Sequence, residues 1–144
     1  MWLSLLAVTL LGGCGNGGVA GQSGNKSDGD SGNPDDVDPP VIDFTPFAEA
    51  QSPAVDLVFN AVITDASGLI SVKLYYRPET SGSKDWSSKG FIPGEGDDEW
   101  KASIPADELK SAGIYYYLEA VDLSQNDAVL PSGATTSYHV RLSE

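Results

Sequence analysis

The side chains able to do chemistry in this 144-residue chain are few, and most of them are acidic. One His and one Cys are present, which excludes His-rich zinc sites and an intramolecular disulfide. His139 falls between Tyr138 and Val140 on an alternating apolar run, with Ser137 on the same face. A general base placed there faces solvent with no wall to exclude water, and nothing organises an oxyanion hole. Glu95 and Glu99 offer a carboxylate pair of the glycosidase kind, but they fall on a turn without a cleft. No Gly-rich phosphate cradle follows a strand and opens a helix. The chain is therefore read as a non-enzyme. With 8 basic against 21 acidic side chains and a net charge of −13, it also lacks the basic footprint of a nucleic-acid binder.

Carboxylates support one other chemistry, the holding of a cation. Calcium takes roughly six to eight oxygens, and clustered carboxylates repel one another when no ion is present. Asp65, Asp122 and Asn126 are the first candidates for such a site, with Asp38 or Asp98 completing the shell. The competing reading is that Asp65 and Asp122 accept from backbone two residues on and simply fix their turns. A second acidic stretch, Asp28-Gly29-Asp30-Ser31-Gly32-Asn33, begins like a calcium loop. Gly32 and Pro39 occupy its fifth and twelfth positions, where ligands are required, so it reads as solvated linker. Beyond this calcium option no cofactor is expected.

The elements that must position these groups begin with a leader. Trp2 to Leu11 is almost wholly apolar, about half the ~20 residues of a bilayer-spanning helix, and so reads as a signal peptide. It ends in Leu11-Gly12-Gly13-Cys14, which resembles the lipobox of bacterial lipoproteins, although no Lys or Arg precedes the apolar run. The resemblance implies a signal peptide at 1–13 and an acylated Cys14 as the mature N-terminus, anchoring the chain to a membrane. Because Gly15 follows the Cys where Asp would retain it, the resemblance further implies the outer membrane in a Gram-negative host. Residues 14–39 are chiefly Gly, Ser, Asn and Asp, too polar to repay their ordering entropy, and read as a flexible tether.

From residue 40 to 144 short apolar alternations recur about every 8 to 12 positions between turn residues, the pattern of an antiparallel β-sandwich. Seven runs are legible, at 41–45, 54–64, 69–77, 86–92, 99–104, 114–122 and 135–142, with one helical turn near 106–111. Alternation sends Leu57, Phe59, Ala61 and Ile63 inward, then Val72, Leu74 and Tyr76, then Trp100, Ala102 and Ile104, then Tyr116, Leu118 and Ala120, and last Tyr138, Val140 and Leu142. A domain of about 105 residues buries close to two-thirds of its surface and folds without disulfides.

Asp65-Ala66-Ser67-Gly68-Leu69, Val72-Lys73-Leu74-Tyr75-Tyr76-Arg77, and Tyr115-Tyr116-Tyr117-Leu118-Glu119-Ala120-Val121-Asp122 with Asn126 resemble the bacterial immunoglobulin-like and fibronectin type III-like domains of envelope and secreted proteins. The resemblance implies a seven-stranded immunoglobulin-like sandwich acting as a spacer or a binding module. Gln125 stands where the family usually has Gly before the Asn. In the G-F-C sheet of such domains, Tyr75, Tyr115 and Tyr117 point away from the core beside Arg77, Lys73, Glu119 and His139. Exposed rings on a rigid sheet stack on sugar faces or anchor a protein, whereas cross-strand ring pairs only stabilise the sheet.

Two functions are thus expected. The first is a lipid-anchored spacer serving an assembly of the bacterial cell envelope. The alternative is a glycan- or protein-binding module using the aromatic face.

Overall fold

The computed structural model describes residues 35–80, 84–133 and 136–144. The leader, Cys14 and the acidic stretch at 28–33 lie outside the described residues. The rest is all-β, with nine strands in two antiparallel sheets.

Alternation decides the faces as expected. In β2 (Leu57–Thr64) every second residue from Leu57 to Ile63 is buried, while Asn60, Val62 and Thr64 are exposed. β3 (Leu69–Pro78) buries Val72, Leu74 and Tyr76, and β7 (Gly113–Asp122) buries Ile114, Tyr116, Leu118 and Ala120. β6 (Glu99–Ile104) contributes Ala102 and Ile104. β1 (Val41–Asp43), β2, β6 and the short β5 (Ile92–Pro93) form one sheet in the order β1-β2-β6-β5. The other runs β4-β3-β7-β8, with β4 at Ser87–Gly90, β8 at Asp127–Leu130, and β9 (Tyr138–Arg141) also on β7. The inner faces share one core, in which Phe59 of the first sheet meets Tyr116 of the second at 5.1 Å between ring centres. Phe44 and Phe47, on the connection after β1, join this cluster, Phe47 edge-on to Phe59 at 5.2 Å. Burying each such side chain stabilises the fold by about 1.5–3 kcal/mol.

One expected run divides and one strand is added, which is why nine strands form and not seven. The run 86–92 changes sheets: β4 pairs with β3, and β5 pairs with β6. The pivot is Phe91, whose ring is buried and whose N–H bonds to the Val72 carbonyl. A ring drawn into the core at that point hands the chain from one layer to the other.

The expected last run, 135–142, contracts to β9, and β8 is an additional strand. Leu118 pairs with Leu130, but Tyr116 pairs with Tyr138. Two steps back along β7 thus correspond to eight forward, so the chain makes an excursion of six residues between β8 and β9 along the same edge of β7. Pro131, with no N–H for the ladder, stands at the departure. The helical turn reduces to a 3-10 turn at Ala106–Glu108.

Candidate functional site

The outer face of the second sheet carries a cross-strand row of rings and a cation. Arg77 on β3 faces Tyr115 on β7, and Tyr115 faces His139 on β9. Tyr75 faces Ser88 on β4, so two residues further along the same antiparallel register Trp86 stands opposite Arg77. The side chains follow the register: the Arg77 guanidinium lies 5.1 Å from the Trp86 ring centre and 4.8 Å from that of Tyr115. Tyr115 lies 4.8 Å from the His139 ring. His139 is exposed, and its Nε2 is 2.9 Å from Glu79 Oε2. Its outward direction is as expected, and Glu79 is an addition that the alternation pattern did not reveal.

One step along the strands, Tyr75 and Tyr117 stack in parallel at 4.7 Å and 8°. The facing sides of the two rings cover each other, so cross-strand pairing accounts for this pair. The Tyr75 hydroxyl donates to Glu119 Oε1 at 3.2 Å. Burial raises both hydroxyl pKa values above 10.0, and the Glu119 carboxylate raises them further. Of the expected face residues, Tyr75, Tyr115, Tyr117, Arg77 and His139 are therefore together, but as a mutually packed row and not as separate free platforms.

What remains accessible lies beside the row. Trp86, 37% exposed, meets Tyr117 edge-on at 4.9 Å. These two rings, Glu119, Asp127 and the start of the excursion at Pro131 and Ser132 border a cleft of about 610 Å³. Sequence reasoning missed Trp86 as a member of this face, although it lay within an expected strand. The signal was the hairpin register, which required the length of the β3–β4 connection.

A second cleft, of about 520 Å³, lies at the first sheet and is bordered by Asp43, Asn60, Glu95, Glu99 and Lys101. It corrects the expectation that Glu95 and Glu99 have no cleft beside them. Its lining comes from β1, β2, β6 and the turn after β5, which stand in the order β1-β2-β6-β5, a placement that spacing does not carry. Glu99 Oε2 accepts the Gly96 N–H at 3.0 Å, which fixes the turn between β5 and β6.

At the pole where the tether enters, Asp36, Asp65 and Asp122 bring one carboxylate oxygen each to within 4.8 Å of the others. Asp122 is 0% exposed. Its Oδ1 accepts the Asn126 N–H and its Oδ2 the Asn126 Nδ2, both at 2.7 Å. The same Nδ2 is 3.1 Å from the Asp36 carbonyl and 3.4 Å from that of Asp38. An amide oxygen in that place would face three acceptors, so Asn126 works here as a donor. Asp65 Oδ1 accepts both the N–H and the hydroxyl of Ser67 at 2.8 Å, the turn-fixing contact two residues on.

Of the expected calcium set, Asp65, Asp122, Asn126 and Asp38 meet, Asp38 through its carbonyl. Asp98 is not in the carboxylate group, and its carbonyl accepts the Ile63 N–H. Asp36 was not expected. Its Oδ1 accepts from Asp38 N–H, and its Oδ2 is buried without a hydrogen-bond partner.

Gln125, where the resembled domains carry Gly, has φ +72°. A left-handed residue there closes the β7–β8 turn, which explains the Gly preference and costs this chain on the order of 1 kcal/mol. Gly68 holds φ +90°, and a Cβ on it would come within 2.9 Å of Leu123. Among the described residues no helix is long and apolar enough to cross a membrane. No protein-family model matches the chain, and no curated protein is significantly similar to it.

Proposed function

We propose that this chain is a lipid-anchored protein of the bacterial envelope, held through Cys14, whose immunoglobulin-like sandwich is a non-catalytic binding module. The tether of Gly, Ser, Asn and Asp at 14–39 lets the domain stand off the membrane. Three acyl chains bury enough methylene, at ~0.8 kcal/mol each, for the anchor to be effectively permanent. In a Gram-negative host the expected membrane is the outer one.

The observation that favours binding over a bare spacer is the outer face of the β4-β3-β7 sheet. A spacer needs no aromatic surface there, yet Trp86 is 37% exposed beside a cleft and continuous with the Arg77 and Tyr115 row. Two measurements test the reading. A palmitate analogue should label the wild type and not Cys14→Ser, and an unlabelled wild type would remove the anchor. The double change Tyr75→Ala with Tyr117→Ala should lose ligand on a glycan array or in a quantified pull-down from envelope extract, while the domain still melts cooperatively. Identical results for wild type and variant in both assays would return the protein to the spacer class.

A further inference from the structure

The cleft beside Trp86 has a chemistry that narrows its ligand. Among the described residues its lining contains two rings, Trp86 and Tyr117, and two carboxylates, Glu119 and Asp127, and no Lys, Arg or His. The protein around it carries a net charge of −13. An anionic ligand would be repelled there, while a cation is drawn by the long-range field, the carboxylates and the ring faces together. The same face already displays the interaction internally, with the Arg77 guanidinium between the Trp86 and Tyr115 rings at 5.1 and 4.8 Å. β8 borders the cleft through Asp127 and Val129 and is an edge strand, with β7 on one side and no paired strand on the other among the described residues. Edge backbone groups present alternating N–H and C=O at the spacing that an extended polypeptide matches along its whole length.

We infer that the Trp86–Tyr117 cleft, flanked by Glu119 and Asp127, receives an Arg- or Lys-bearing extended segment of a partner protein. The inference rests on the reading of this face as a binding surface and names its partner's chemistry. A basic side chain enters between the rings and the two carboxylates, and the segment's backbone runs along β8.

The probe is a hexa-arginine peptide titrated calorimetrically into the full-length chain at low and at high salt. Binding is expected, weaker at high salt as exposed charges are screened. Trp86→Ala should weaken it about tenfold. Glu119→Gln with Asp127→Asn should weaken it comparably, and Glu95→Gln with Asp107→Asn, which removes the same charge elsewhere, by less than about twofold. Equal loss in the two charge-neutralised pairs would reduce the attraction to net charge and overturn the inference. So would binding of cellohexaose or a glucosamine hexamer that Trp86→Ala abolishes while the peptide does not bind, although that outcome keeps the face as a binding surface. No binding of any probe, together with unchanged pull-down by the Tyr75→Ala, Tyr117→Ala variant, would overturn both readings.

Discussion

Tyr116 and Tyr117 are adjacent on β7 and meet opposite fates. Tyr116 is wholly buried against Phe44, Phe47, Phe59 and Tyr138. Burial pushes its hydroxyl up to about 12, offset in part by the backbone of Phe47. Tyr117, half-buried on the outer face, stacks on Tyr75 and touches Trp86. The inner ring is held by partners from both sheets. The outer ring is held by neighbours within its own sheet, and beside it a cleft stays open. The same residue type closes one face and equips the other, because inner surface has a second layer to meet and outer surface has only what the strands bring to it.

The comparison breaks most severely at the inner ring. Tyr116→Ala should destabilise the fold by about 3–5 kcal/mol, since it leaves a cavity among four aromatic neighbours. Chemical denaturation measures this, and a cost below about 1 kcal/mol would mean that the two sheets do not share that cluster.

At the end of the same inner row stands Asp122, the one buried charged residue among those described. Asp122→Ala removes the two carboxylate acceptors that hold Asn126 and should cost about 1.5–3 kcal/mol, the range of hydrogen bonds to charged groups. Asn126→Ala should lose much of the same energy, and fully additive losses in the double variant would show that the two residues are not partners.

The outer pair is worth less. A double-mutant cycle on Tyr75→Ala and Tyr117→Ala should return a coupling of about 0.5–1.5 kcal/mol, the value of a stacked ring pair beyond its area. A coupling near zero would leave the rings free for ligand alone.

Tyr76 gives a smaller effect at the rim of the core. Its hydroxyl donates to Glu108 Oε2, and Lys89 Nζ lies 2.7 Å from Glu108 Oε1. Lys89 first, and then Tyr76, hold the Glu108 carboxyl below its ordinary 4.5. A carboxylate whose folded value is depressed contributes stability above its unfolded value and loses it as the pH falls through the folded one. The melting temperature should therefore fall more steeply below pH 4.5 in the wild type than in Glu108→Gln. Parallel acid limbs would remove this contact from the stability of the fold.

The least change is expected at the tether pole. With Asn126 and Ser67 donating to the Asp122 and Asp65 carboxylates, millimolar calcium should leave the calorimetric transition where chelator leaves it. A rise of several degrees would assign the Asp36, Asp65 and Asp122 group to an ion.

Much of this is legible without coordinates, because alternation is a local property: a pleated strand sends successive side chains to opposite faces, so Phe59, Leu74, Tyr116 and Val140 are core and Tyr75 and Tyr117 outward on the sequence pattern alone. The turn chemistry of Asp65 with Ser67 is local in the same way. What alternation cannot carry is register. Trp86 reaches the aromatic row because it lies across from Arg77, the six-residue excursion appears only when β7 is paired with both β8 and β9, and Phe91 shows its pivot only between two sheets. Asp36 likewise meets Asp65 and Asp122 across sequence separations that no short pattern spans. The sequence by itself determined which face each strand residue takes, through a period of two; the tertiary structure alone decided which side chains of a face meet, because strands distant in sequence are brought into one register only by the fold.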